Sequence, residues 1–284
     1  MTTDSGSLPL APPVKEFQLN HLCCQLLETA DGSYSLRVGK QQHTLSEPMH
    51  SSKGAWSETF AIYLPALDCS LPPRTRSSAF IDSNQLWSIA SVGLGLGYNE
   101  ILAAGLALKE SLSADRLYIE SYEEHQELAD SFRHHFSNRP SLRENHPLGS
   151  VYADICRRTA EHFALSETTL HKFINQLLIE QRIILKSRLN TETLIATNAP
   201  REKFNCILFD AFSPSSSPDL WEAHLLESMV ASLPAKNCVF ASYASRTVLK
   251  KILRTAGFVI HKRTGFAGKR ESTFAVRAQT ILPE

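Results

Sequence analysis

Three groups of residues in this chain have the types and spacing that chemistry needs. The first is Gly93-Leu94-Gly95-Leu96-Gly97, set between an apolar run, Leu86 to Val92, and a helix-like run, Asn99 to Lys109. A strand that turns through glycines into a helix N-terminus is a cradle for nucleotide cofactors. Glycine lets the backbone approach the ligand, and the helix end offers free N–H groups. The spacing is GxGxG, with Tyr98 where the dinucleotide fingerprint GxGxxG needs its third glycine. It leans away from NAD and FAD and toward S-adenosyl-L-methionine.

The second group is polar and sits at strand ends. Glu120 closes the strand-like run Arg116–Glu120, 23 residues after Gly97. A carboxylate there can accept both ribose hydroxyls of an adenosine cofactor. Asp210 closes the apolar run Phe204–Phe209 and opens Asp210-Ala211-Phe212-Ser213-Pro214. It can hydrogen-bond a substrate amine and help take its proton. Tyr243, after Cys238–Ser242, is a second candidate at the cleft edge, or equally a half-buried core tyrosine. Methyl transfer from a sulfonium is an in-line displacement that asks mostly for position, plus an acceptor beside a neutral amine.

The third group is the loop Gly265-Phe266-Ala267-Gly268-Lys269-Arg270. Cations hold phosphates, and an aromatic such as Phe266 can stack on a base. From Arg246 to Arg277 nine basic residues face a single carboxylate, Glu271, in a chain whose 29 basic and 29 acidic residues otherwise balance. That local excess favours an anionic partner, against the usual reading of a charge run as a solvated face.

The elements that must position these groups are legible as an alternation. Strand-like runs cover Leu86–Val92, Arg116–Glu120, Arg182–Lys186, Phe204–Asp210, Cys238–Tyr243, Phe258–Lys262 and Thr273–Val276. Helix-like runs cover Asn99–Lys109, Tyr122–Phe136, Pro218–Leu233 and Arg246–Ala256. This order gives an α/β fold, a mostly parallel sheet with helices on both faces, and ligands in such sheets bind at the carboxyl ends of the strands. Residues 1–15 read as a disordered tail, 16–79 as a small β-rich N-terminal segment and 80–284 as the main domain. Pro72-Pro73 and Arg74–Ser78 look like a linker. Residues 140–185 read as a helical insertion, in which Leu170, Phe173, Ile174, Leu177 and Leu178 form a one-sided apolar stripe suited to packing on its own domain.

Composition narrows the class. With 284 residues, 43% hydrophobic, the chain can bury one large core. Its six cysteines show no CxxC or zinc spacing, and its eleven histidines no ligand spacing such as HExxH, so reduced thiols and no metal are expected. The start lacks the basic and apolar regions of a signal peptide, and no apolar run approaches the ~20 residues of a membrane span. A cytoplasmic protein is the expectation.

With these residues in hand, the chain resembles the methyltransferase of the MnmC family, the tRNA 5-methylaminomethyl-2-thiouridine enzymes, and especially its stand-alone relatives. Four segments carry the likeness, spanning roughly residues 26–277 by this pattern reading. They are Thr29–Ser33 with Met49–Ala55 and Glu58; Val92–Asn99; Asp210–Pro214 with Pro218–Trp221; and Ala256–Phe258 with Gly265-Phe266 and Gly268–Glu271. The resemblance implies a Rossmann-like class I methyltransferase that moves a methyl group from S-adenosyl-L-methionine to the aminomethyl nitrogen of a tRNA wobble uridine. It implies that Gly93, Gly95, Gly97 and Asn99 cradle the cofactor with Glu120 on its ribose, and that Asp210 faces the amine. It places Lys53 and Glu58 along the site, and Lys269 and Arg270 near tRNA or at the rim.

Three features depart from the family. Ser91 stands where an acid is usual, Asn190 or Thr191 where an adenine-side carboxylate is usual, and residues 140–185 exceed the usual connection. The flavin-dependent half of the bifunctional enzyme is not seen, so the substrate is expected to be at the aminomethyl stage already. Two other readings remain at this point: a related methyltransferase for another amine or RNA, and a silent methyltransferase fold serving as an RNA-binding scaffold.

Overall fold

The structure, a computed structural model, describes residues 13–40, 45–72, 85–137, 146–195 and 203–278. Most of the expected tail and linker, residues 1–12 and 73–84, lies outside the described residues.

Three strands open the chain, β1 (Lys15–Leu19), β2 (Leu22–Glu28) and β3 (Tyr34–Lys40), paired as an antiparallel meander. Two short helices follow, α1 (Ala55–Ile62) and α2 (Leu64–Ser70). The main sheet then alternates with helices: β4 (Trp87–Val92), α3 (Tyr98–Lys109), β5 (Leu117–Tyr122), α4 (Gln126–Phe136), α5 (Gly149–Phe163), α6 (Glu167–Ile179), β6 (Ile183–Lys186), α7 (Thr191–Ile195), β7 (Phe204–Phe209), α8 (Ala223–Ser232), β8 (Pro234–Ser242), α9 (Thr247–Thr255), β9 (Val259–Arg263) and β10 (Ser272–Arg277). Its seven strands lie in the order β6-β5-β4-β7-β8-β10-β9. The pairs from β6 to β8 are parallel, and β10 runs antiparallel to both of its neighbours.

This order explains the burial pattern. All six residues of β4 are buried, as a central parallel strand covered on both faces must be. Helix α3 is buried nearly all round, from Tyr98 to Ala107, because it lies between the sheet and a second helical layer of α5 and α6. The apolar stripe on α6 points inward: Leu170, Phe173, Ile174 and Leu177 are buried and Leu178 packs beside them.

The segment read as a helical insertion, where described, carries two helices between β5 and β6. Helices α5 and α6 lie on the crossover that delivers β6, the strand beside β5, so residues 183–186 belong to the main sheet. Two other expectations shift. Strand β5 continues through Ser121 and Tyr122, which delays α4 to Gln126. The run from Pro218 divides into a 3-10 turn, Pro218–Trp221, and α8.

The N-terminal meander is built into the site by its turn. No side chain of α1's own N-cap, Gly54, satisfies the helix start. The β2–β3 turn does so instead: Ser33 Oγ accepts from the N–H of Ala55 at 3.0 Å and of Trp56 at 2.9 Å, and Asp31 Oδ2 from that of Ser57 at 2.9 Å. These donors would otherwise be orphans of the first turn. Burial disfavours the Asp31 charge, yet the hydrogen bonds from Ser33 and Ser57 outweigh it and hold the carboxyl well below its usual range. Gly54 is required here, since a Cβ on it would lie 2.4 Å from Asp31 Oδ2. The two segments Thr29–Ser33 and Met49–Glu58 are thus one interlocked unit. Tyr98 ties it to the main domain, its hydroxyl donating to the Tyr34 carbonyl at 2.8 Å and accepting the Tyr34 N–H at 3.2 Å.

Candidate active site

Strands β4 and β7 are neighbours in the sheet, but the chain leaves β4 toward β5 and β7 toward β8. A crevice opens at such a switch point, outside the carboxyl ends of the strands. It holds about 660 Å³, part of it open to solvent, a size suited to a small-molecule cofactor. The glycine turn forms its floor. Gly93, Gly95 and Gly97 all have positive φ, and a Cβ on Gly93 would lie 2.5 Å from the Asp210 carbonyl oxygen. Glycine is therefore what lets the ends of β4 and β7 lie side by side here. Gly93, Gly95 and Asn99 line the cleft, while Gly97 caps α3 in the left-handed conformation.

Asp210 stands one residue beyond β7 and faces the cleft. Two donors fix its carboxylate: Tyr63 Oη at 2.7 Å from Oδ1 and Asn99 Nδ2 at 3.2 Å from Oδ2. Burial nonetheless dominates, and with the nearby charge of Glu58 it pushes the Asp210 carboxyl up to about 7, against the pull of those hydrogen bonds. Such a group changes its proton near neutrality, which suits a general base. Tyr63 is fully buried at the junction of α1 and α2, so the N-terminal module supplies the donor that orients Asp210. Glu47 in the same module accepts the Ser213 N–H and steadies the following loop. Sequence reasoning missed Tyr63, because nothing in its spacing marks it.

Glu120 does not reach the cleft. It lies inside β5, opposite Ala90 of β4, fully buried. Its oxygens are occupied by the hydroxyls of Tyr118, at 3.0 Å, and Tyr122, and by Lys186 Nζ of β6 at 2.9 Å. The carboxylates that line the cleft here are Glu123, just past the end of β5, and its neighbour Glu124. Glu123 is buried, and accepts the Gly95 N–H at 2.9 Å and the His125 N–H at 2.8 Å. Burial raises its proton affinity, while those two hydrogen bonds pull the other way. The sequence reading stopped the strand at its first charge. The tyrosines on either side of Glu120 were the available sign that this carboxylate is an internal one.

The other expected residues are divided. Tyr243 donates from its hydroxyl to the Ala211 carbonyl at 3.0 Å and carries Lys269 Nζ over its ring, 4.6 Å from the centroid. It braces the loop after Asp210 from behind and does not line the cleft. Glu58 is buried, accepts the Ser51 N–H at 2.7 Å and receives Lys269 Nζ at 3.4 Å. Lys269 therefore joins the C-terminal loop to α1. Lys53 is exposed, Phe266 packs partly against the core, and Arg270 is exposed. Of the remaining basic cluster, Lys250 pairs with Glu271 at 2.5 Å, Arg263 lies over Phe274, and Arg277 donates to the carbonyls of Pro234 and Ala235. These three cations are committed within the fold.

The departures also find physical places. Asn190 Oδ1 accepts the Thr193 N–H at 2.7 Å, so it caps α7, and its neighbour Leu189 lines the cleft. Ser91 is buried and in register with Ser121. Glu100 of α3 reaches that place, accepting the Ser121 hydroxyl at 2.7 Å, and burial pushes its carboxyl up to about 7.

An adenosine-sulfonium cofactor fits these residues. The glycine floor admits close backbone approach, Glu123 offers lone pairs to a diol, and Leu189, Phe212 and Leu220 offer apolar surface. Asn99 Oδ1 is buried with no partner among the described residues, an acceptor left for a ligand.

Comparison with known proteins agrees. A family model described as S-adenosyl-L-methionine-dependent methyltransferase matches residues 160–278. The chain is 25% identical over 239 residues to the tRNA 5-methylaminomethyl-2-thiouridine biosynthesis bifunctional protein MnmC of Burkholderia thailandensis, covering 82% of this chain and 33% of that protein. It is 26% identical over 193 residues to MnmC of Legionella pneumophila (strain Lens), covering 66% and 28% respectively. It thus spans about a third or less of the length of these curated relatives. The crystal structure of MNMC2 from Aquifex aeolicus superposes with a TM-score of 0.53 at 22% identity, over 92% of this chain and 72% of that one, which establishes the fold. No helix among the described residues is long and apolar enough to cross a membrane. The chain thus has the Rossmann-like α/β fold of class I methyltransferases, and in sequence it is similar to S-adenosyl-L-methionine-dependent methyltransferases, MnmC among them.

Proposed function

We propose that this protein N-methylates the 5-aminomethyl group of a tRNA wobble uridine, with or without the 2-thio group, giving 5-methylaminomethyluridine. The observation that carries this reading is Asp210. A carboxylate held at the mouth of the cofactor cleft by Tyr63 and Asn99, with its proton affinity moved to about 7, is what an amine substrate needs. Further support comes from relatives whose name specifies biosynthesis of that nucleoside.

Gly93, Gly95, Asn99 and Glu123 hold the cofactor in this account, with Glu123 taking the ribose role first expected of Glu120. Bound there, S-adenosyl-L-methionine supplies a methyl group activated for in-line displacement. Asp210 accepts an N–H of the neutral amine and orients its lone pair, then takes the proton released on transfer. Tyr63 and Asn99 keep that carboxylate in place. Arg270, with the rim made by Lys269 and Phe266, lies where an RNA backbone can be met; exposed cations of this kind position phosphates without reading sequence.

The test is methyl transfer from labelled cofactor to tRNA from cells lacking the modification, with the digest analysed by nucleoside mass spectrometry. A new methylaminomethyl uridine is expected. Transfer to a different nucleoside would move the assignment to another amine or another RNA. Cofactor binding without transfer to any RNA would return the protein to the scaffold reading.

A further inference from the structure

The cleft contains a histidine to which the reading above gives no role. His50 lies between β3 and α1, lines the same cleft as Asp210 and Asn99, and is 9% exposed. Its place is fixed from two sides. Its backbone N–H donates to Ser35 Oγ at 2.9 Å, and its ring meets Tyr98 edge-on with centroids 4.9 Å apart. Tyr98 follows the glycine turn directly and is itself clasped by Tyr34, so the ring is held by both modules at once. Despite this, His50 Nδ1 is buried and has no partner among the described residues. A buried polar atom left unpaired is costly, so a fold that fixes one against a ligand cleft points to a ligand group that pairs it.

The kind of group follows from what surrounds it. Burial disfavours the imidazolium, against the opposing pull of Glu58 and Asp31. A neutral ring with its proton on Nε2 presents Nδ1 as an acceptor. His50, Asn99 and Asp210 line the same cleft, and Asn99 Nδ2 donates to Asp210 Oδ2 at 3.2 Å. The cleft therefore offers the Asp210 carboxylate, the unpaired Asn99 Oδ1 and the unpaired His50 Nδ1. Each is an acceptor, and they call for a ligand nitrogen with more than one N–H.

We infer that His50 Nδ1 accepts one N–H of the methyl-accepting nitrogen while Asp210 accepts the other, so that the site selects a primary amine and stops after one methyl group. This rests on the proposed reaction. A neutral primary amine has two N–H bonds and one lone pair. Holding both N–H bonds leaves the lone pair as the only free direction, aimed at the incoming methyl. On transfer the N–C bond forms as the S–C bond of the sulfonium breaks, and the nitrogen gains a positive charge. It releases one proton to the Asp210 carboxylate, and S-adenosyl-L-homocysteine leaves as a neutral thioether. The product nitrogen keeps one N–H and cannot satisfy both acceptors, so a second round is disfavoured.

The test compares wild type, His50→Phe and His50→Asn on tRNA carrying the aminomethyl group. It reads kcat, KM for tRNA, the dissociation constant of S-adenosyl-L-homocysteine, and the ratio of mono- to dimethylated nucleoside. Phenylalanine keeps a ring against Tyr98 and removes the acceptor; asparagine places an amide oxygen near the former Nδ1. The expected result is a fall in kcat of about tenfold to a hundredfold for His50→Phe, the size of one buried hydrogen bond. Dimethylated product should appear, with the S-adenosyl-L-homocysteine constant unchanged, and His50→Asn should recover most of the rate and the single product. That unchanged constant also shows that the variant is folded. Wild-type rate and product from His50→Phe would overturn the inference. So would a loss of S-adenosyl-L-homocysteine affinity in parallel with the rate, which would assign Nδ1 to the cofactor. A wild type that methylates no such tRNA would overturn the proposed function first and this assignment with it.

Discussion

Two buried carboxylates three positions apart, one inside β5 and one just past its end, have opposite fates. Glu120, inside β5, is enclosed by Tyr118, Tyr122 and Lys186 and has nothing left to offer a ligand. Glu123, just past the end of the strand, is held by two backbone N–H groups and borders the cofactor cleft. Asp210 repeats the second pattern one residue beyond β7. A carboxylate inside the sheet needs a full set of partners to be tolerated at all. One at the carboxyl end of a strand can be fixed by neighbours and still keep lone pairs for chemistry. In this fold, position relative to the end of the strand separates an enclosed acid from acids that border the cleft.

The comparison can be broken most sharply at Asp210. Changing it to Ala is expected to lower methyl transfer by at least ~10²-fold, the scale of a lost general base. S-adenosyl-L-homocysteine binding, measured by calorimetry, should be nearly unchanged. Equal losses of binding and transfer would make Asp210 a cofactor ligand.

The two glutamates come next, by opposite routes. Lys186→Met leaves the Glu120 charge buried without its ion pair, which costs about 3–5 kcal/mol in such settings. Denaturant unfolding should report that loss. Glu123→Gln should instead weaken cofactor affinity by about tenfold, within the cost of one lost charge-assisted hydrogen bond, with a much smaller effect on unfolding. The reverse pattern would restore Glu120 to the ribose.

A subtler effect concerns Tyr63. Asp210 must be ionised to accept a proton, so the rate is expected to rise with pH through about 7. Tyr63 donates to the ionised carboxylate and favours it. In Tyr63→Phe that support is gone, and the midpoint of the pH–rate profile should move to higher pH. A midpoint that stays put would separate the tyrosine from the proton transfer.

The smallest effect is on stability. Asp210 rises from 3.8 and Glu100 from 4.5, each to about 7, so between those values the folded protein binds more protons than the unfolded chain. Their contribution is fully present below about pH 4 and is lost as pH rises through 7. The Tm should carry a falling component between about pH 4 and 7, and Glu100→Gln should flatten it. An unaltered slope in that variant would mean that Glu100 is ionised throughout.

Much of this fold was legible because its signals are local. Seven runs of strand character and the glycine turn map onto β4 to β10 and the α3 N-terminus, since buried parallel strands must be apolar and a close turn must be glycine. Asp210 was legible for the same reason: it breaks an apolar strand at its end. What escaped depends on contacts distant in sequence. Tyr63 meets Asp210 across 147 residues. The Lys186–Glu120 pair is created by the register of β6 on β5. The role of Thr29–Ser33 as the cap of α1 needs the turn and the helix to be docked first. The basic C-terminal run was misleading in part, because charge counts do not show that Lys250, Arg263 and Arg277 are spent inside the fold.

The central claim is that a methyl group moves from the cofactor in this cleft to an amine held by Asp210. The most direct test is the nucleoside mass spectrum of aminomethyl-bearing tRNA after incubation with labelled S-adenosyl-L-methionine, run side by side for wild type and Asp210→Ala. A labelled methylaminomethyl uridine from the wild type alone is the result this account requires. The same nucleoside formed equally by both proteins would contradict it.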